Sequence, residues 1–170
     1  MNQFVKSILT AFIGLFIFTG LAAAEGEKYA YVDVAKVFDG YEKTKENDRI
    51  LQEAGKKKET QRDTLVQTVR QLKDEIVLMA EDARPKKQEA LDAKVRELQD
   101  FDRGAKLDLG QQRNKAVREI FKDIDDTLQR YGERKGYDLI FNERALLFHN
   151  PKLDVTQDVL TELNKTYKKK

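Results

Sequence analysis

The chain has 170 residues, 36% charged against 40% hydrophobic, with no Cys, no Trp and only 2 Pro. So large a charged share excludes an ordinary compact globule and fits long solvated helices. Its 32 basic and 30 acidic residues leave a net charge of +2, which excludes the strong basic excess of a duplex-DNA binder, so no nucleic-acid partner is expected.

Lys6 precedes an apolar run, Ile8–Leu21, and Ala22-Ala23-Ala24 follows before Glu25 opens a polar stretch. Basic start, apolar middle and small residues at the end make a signal peptide over residues 1–24, cleaved near Ala24. An uncleaved anchor is the alternative, since Ile8–Ala24 is at the short limit of a membrane span. Lack of Cys excludes a lipid anchor and fits an oxidising compartment where no disulfide is needed. The expected location is the periplasm.

Lys28–Asp33 reads as a short strand rich in β-branched and aromatic residues. Asp33 is placed to cap a short helix whose apolar face is Val34, Val37, Phe38 and Tyr41. From about Thr44, the seam Leu65, Val69, Leu72, Ile76 and Met79 steps by four and three, as in a coiled coil. Pro85 interrupts it, because a proline steers the residue before it away from helical geometry. The seam resumes at Leu91, Val95 and Leu98, weakens through Ala105 and Leu109, and strengthens at Ala116, Ile120, Ile124 and Leu128. Gly136, behind Arg134 and Lys135, is a helix stop.

Two apolar seams with one break predict an antiparallel hairpin over 44–135 with its tip near 82–86. Folding about Ala83–Pro85 would set Met79 opposite Leu91, Ile76 near Val95, Leu72 near Leu98 and Leu65 near Ala105. Such arms reach roughly 60 Å at about 1.5 Å per residue, so the hairpin projects. Gly55, Gly104 and Gly110 each weaken the helix, and this register puts Gly55 near Lys115 and Gly110 near Thr60. A bend is expected in that zone.

Tyr137–Phe141 and Ala145–Phe148 read as two strands around an Asn142-Glu143-Arg144 turn. Asp154, with Gln157 three residues on, is expected to form a capping box for a last helix carrying Val155, Val159, Leu160 and Leu163. The two β-rich segments, 25–43 and 136–170, must meet to make a sheet. At about fifty to sixty residues such a body buries a marginal core, and its open strand edges need covering. Without disulfides, oligomerisation is the remaining remedy. The candidates for it are Tyr29, Tyr31, Val32, Leu139, Ile140, Phe141, Leu146, Phe148, Val159 and Leu160. The fold class is therefore α+β: a long coiled-coil hairpin on a small β-rich body completed by other copies.

No catalytic or metal site is expected. His149 has no Cys to partner it as a nucleophile, metal-ligand spacing is absent, and Gly104 and Gly110 fall within helical charge patterns. No cofactor follows. The seam residues hold the arm helices together. Val66, Val77, Leu78, Phe101 and Leu107 lie off the seam and are the candidates for weak apolar contact with a client.

Tyr29–Phe38 (Tyr-Ala-Tyr-Val-Asp-Val-Ala-Lys-Val-Phe), Gly136–Asn142, Ala145–Phe148 and Asp154–Leu160 together resemble the Skp (OmpH) family of periplasmic chaperones. The resemblance implies a homotrimer with a small β-barrel body and three helical tentacles around a cavity. It implies an ATP-independent holdase that sequesters unfolded outer-membrane β-barrel proteins. Members are strongly basic with positive tips, whereas here Arg84, Lys86 and Lys87 stand beside Glu81, Asp82 and Glu89. Only a weak membrane or lipopolysaccharide contact is therefore expected. The rival reading is a structural coiled-coil adaptor of the cell envelope with one specific folded partner.

Overall fold

The computed structural model describes residues 26–168; the expected signal peptide lies outside them. Strand β1 (Tyr29–Val32) is followed by helix α1 (Val34–Gly40), then by the long helices α2 (Glu42–Leu78) and α3 (Arg84–Lys135), strand β2 (Leu139–Asn142) and helix α4 (Thr156–Lys168). Among the described residues, no helix is long and apolar enough to cross a membrane.

The starts and stops follow from local chemistry. The Asp33 carboxylate accepts the Lys36 backbone N–H at 3.0 Å and so caps α1. Gly136 ends α3 in the left-handed region at φ 66°, and the Tyr137 N–H returns to the Gly132 carbonyl at 3.0 Å. That pair of features satisfies carbonyls the helix end would otherwise orphan. The expected capping box at α4 does not form. Asp154 instead accepts from Thr156 N in a tight local turn at 2.8 Å, and the Gln157 amide points forward to Thr161.

α2 and α3 pack as the expected antiparallel hairpin, but the reversal comes earlier than Ala83–Pro85. Met79 and Ala80 leave the helix with ψ of 150°, a single 3-10 turn covers Glu81–Ala83, and Pro85 lies in the first turn of α3. There its missing N–H costs nothing, because first-turn N–H groups have no intrahelical partner. Arg84, just before the proline, is helical at φ −63°, ψ −36°. Its Nε donates to the Met79 carbonyl at 3.1 Å, closing the turn.

The earlier turn changes the register. Glu75 meets Lys87 at 2.6 Å, Arg62 meets Asp102 at 3.0 Å and Lys58 meets Asp108 at 3.2 Å. Those pairs set Leu72 level with Leu91 and Val69 level with Val95. The pairing of Met79 with Leu91 and Ile76 with Val95 is therefore out by about two helical turns along α3.

β1 and β2 pair in parallel, Tyr29 with Leu139 through Val32 with Asn142, so the whole arm is one crossover connection. On its other side β1 receives Asp154 in an isolated bridge, and Val155 N donates to the Tyr31 carbonyl at 3.0 Å. β1 is therefore central and the far side of β2 is open. Ala145–Phe148 is not a strand. A 3-10 turn over Glu143–Ala145, capped by Asn142, carries it off the sheet, so it does not pair with the open side of β2.

The core joins both ends of the chain to the base of the arm. Val32, Val37, Tyr41, Ile120, Ile124, Tyr131, Val159 and Leu163 are all buried within it. Ile120, Ile124 and Tyr131, at the base of α3, share this core with β1, α1 and α4. Gly40 sits where α1 crosses α4, since a Cβ there would lie 2.6 Å from Leu160 Cδ2.

Candidate functional site

Along the arm, Val69 and Leu91 are buried, while Leu65, Leu72, Ile76, Met79, Val95 and Leu98 are half-buried. Two helices can cover each other on one side only, so a seam without a third partner stays partly wet. The ion pairs named above flank it.

The five off-seam residues divide. Val66 and Phe101 are half-buried, and Phe101 lies under the Lys58 ammonium, 5.9 Å from its ring centre. They trim the interhelix contact. Val77, Leu78 and Leu107 are 74%, 87% and 62% exposed. Val77 and Leu78 close α2 at the tip, among residues of both signs. Of the three tip cations, Arg84 is engaged by the turn and Lys87 by Glu75, while Lys86 is exposed.

On the body, Tyr31, Val32 and Val159 are buried in the chain's own core, so their side chains are not offered to another copy. Leu160 and Ile140 are half-buried against that core. Tyr29, Leu139 and Phe141 lie on or near the open sheet edge, 39%, 52% and 40% exposed, and the Tyr29 and Phe141 rings are 6.3 Å apart. Leu146 is half-buried, and Phe148 is 88% exposed. Sequence reasoning missed Leu147, which is wholly exposed, and Phe121, half-exposed beside Phe38. Leu147 was hidden by the assumption of strand alternation. Phe121, an aromatic side chain next to the seam residue Ile120 and flanked by charge, could have been singled out.

Three polar arrangements fasten arm to body. Tyr41 donates its hydroxyl to Asp123 at 3.1 Å, and Lys43 pairs with the same carboxylate at 2.8 Å. Tyr131 donates to Asp158 at 2.9 Å, and Arg134 holds Glu162 through both carboxylate oxygens. Burial, then the neighbouring carboxylate, pushes both tyrosine hydroxyls well above their ordinary pKa. The Arg134 guanidinium holds the Glu162 carboxyl below the usual range. The His149 ring lies tilted against the Tyr31 ring with centres 4.3 Å apart, and sets Nε2 3.4 Å from Glu143. Among the described residues, no three His, Asp or Glu side chains converge as a metal ion would require.

The sequence matches the family described as Outer membrane protein (OmpH-like) over residues 28–163, most of its length. The chain belongs to the OmpH-like family. No curated protein matches the sequence. This OmpH-like chain is similar in fold to the crystal structure of a candidate outer membrane chaperone (OmpH-like) from Caulobacter crescentus CB15. The likeness has a TM-score of 0.76 at 14% identity, covering 88% of this chain and 91% of that one. At that identity it speaks for the helical hairpin with its small strand pair, and for nothing finer.

Proposed function

We propose that this OmpH-like chain is an ATP-independent holdase of the periplasm that keeps unfolded outer-membrane proteins from aggregating. Three copies close their open edges into a small β-barrel, and their arms surround a space in which the client sits. The observation that carries the reading is the exposure of Val77, Leu78 and Leu107 along a projecting, highly charged arm. Small apolar patches set among charges, Val77–Leu78 at the tip and Leu107 along the arm, make each contact weak. Many weak contacts on linked arms add up to useful affinity and still permit release. The chaperone description of the Caulobacter relative supports the same reading. With Arg84 and Lys87 engaged, contact of the tip with lipid or lipopolysaccharide is weak.

The test is light scattering after dilution of a denatured β-barrel porin, with and without a stoichiometric amount of the mature protein. Suppressed scattering is expected; unchanged aggregation rejects the reading. One observation favours the adaptor reading: Val77 and Leu78, the most exposed apolar residues of the arm, are neighbours at its tip. A concentrated docking site of that kind would show a single saturable folded partner and no suppression of scattering.

A further inference from the structure

The body carries an apolar hollow and, elsewhere on its surface, an apolar projection that the hollow could receive. The hollow has a volume of about 380 Å³ and is lined by Val34, Ala35, Phe38 and Phe121, with Asp39, Asn142 and Arg144 as its polar wall. The Phe38 and Phe121 rings meet at 5.3 Å, yet Phe121 remains 48% exposed. Two aromatic rings in contact ordinarily mark an interior.

The projection is Leu147-Phe148, 107% and 88% exposed. It is held out rather than left loose. Asn142 caps the turn before it, the His149 ring packs tilted against Tyr31 and approaches Glu143, and Asn150 caps the turn after it through Lys152 N at 3.1 Å. The segment Ala145–Phe148 is uncharged, matching the uncharged side chains of Val34, Ala35, Phe38 and Phe121. Its own chain does not fill the hollow: Arg144 lines it, but the residues that follow turn away. Asn142 is both the last residue of the open-edged β2 and part of the hollow's wall, so edge and hollow form one continuous uncovered face.

We propose that Leu147 and Phe148 of one copy seat in the Val34–Phe38–Phe121 hollow of the next. This rests on the reading above that several copies assemble, and deepens it by naming the joint. Projection and hollow are different patches of one surface, so the contact is head-to-tail, and such contacts close as rings or run on as filaments. A ring is what a container requires.

The chain has no Cys, so introduced thiols report cleanly. In the oxidised F148C/A35C double variant of the mature protein, a disulfide-linked ladder ending at the trimer is expected on a non-reducing gel. Co-refolded F148C and A35C single variants should give a linked dimer, and neither alone should link. Self-linkage of F148C would show a symmetric contact, and linkage within one chain would show that the loop covers its own hollow; either overturns the proposal. So does a trimeric mass in solution with no linkage, or preferential coupling of A35C to a thiol-bearing unfolded porin. The L147E/F148E variant should keep its helical circular dichroism and lose its trimeric mass; retention of that mass overturns the joint. A monomeric wild type would instead overturn the multi-copy reading itself.

Discussion

Lys58 on α2 holds Asp108 on α3 at 3.2 Å, and this ion pair sets Gly55 level with Gly110. Gly55 precedes Lys58 by three residues and Gly110 follows Asp108 by two, offsets that run the same way in an antiparallel pair. A Cβ at Gly55, Gly104 or Gly110 would meet nothing within 4 Å, so no close crossing requires them. Both helices therefore lack a side chain at one level of the arm, where glycine costs each about 1 kcal/mol of helix propensity. Amides around Gly55 and Gly110 should exchange faster than those of Ile120–Leu128, which pack in the body. G55A and G110A should each stabilise by about 1 kcal/mol, through helix propensity alone, and slow that exchange. Equal protection of the two zones in the wild type would exclude a bend.

The register itself is open to a direct check. With Arg62 level with Asp102 and Glu75 level with Lys87, Val69 should face Val95. A V69C/V95C variant should therefore oxidise to an intramolecular disulfide, whereas I76C/V95C should keep free thiols in the folded state. Thiol titration under native conditions reads both, and the reverse pattern would restore the register drawn from a turn at Pro85.

That error has a physical cause. A seam of steps of three and four repeats about every 3.5 residues, so sliding one helix by roughly a heptad still sets apolar against apolar. Only the flanking charges, Lys58 with Asp108 and Glu75 with Lys87, tell one slide from the next. Features set by a single residue's chemistry were legible, as the Asp33 cap and the Gly136 stop, and so was the hairpin, from its two apolar seams with one break. Features set by a distant partner were not. Nothing local distinguishes Tyr31 and Val32, buried against the Asp154–Val155 segment, from the exposed Tyr29 and Phe141 of the same sheet. Ala145–Phe148 has strand composition, but a strand needs an edge to join. Its exposure is a property of the single chain that no window of sequence displays.

The junction tyrosines give the fold a signature in alkali. Burial, then Asp123, raises the pKa of Tyr41, and burial, then the hydrogen bond to Asp158, raises that of Tyr131. A group with a higher pKa folded than unfolded lends its stability fully below the unfolded value, about 10 for tyrosine. That stability is lost as pH climbs through the folded value, because the unfolded chain releases the proton first. The urea midpoint should hold steady between about pH 7 and pH 9 and drop beyond about pH 10. In Y41F/Y131F the drop should flatten, at a cost of about 1 kcal/mol per lost hydrogen bond near neutrality. A double variant with an unchanged alkaline drop would assign it elsewhere.

Val77 and Leu78 separate client capture from arm stability. Both side chains are largely exposed at the end of α2, so V77S/L78S should change the unfolding free energy by no more than about 0.5 kcal/mol. If these residues greet unfolded clients, the variant should need several-fold more protein to suppress porin scattering to the same degree. Val66 and Phe101 are half-buried between the helices, with Lys58 over the Phe101 ring. V66S/F101S should therefore lower the arm's melting temperature, and its loss of suppression should be recovered on cooling to a temperature where the arm is fully helical. The two pairs thus give opposite patterns, stability intact with capture lost against stability lost with capture recoverable. Should V77S/L78S suppress scattering as well as the wild type, the apolar tip has no part in holding clients, and exposed Leu107 becomes the next position to test.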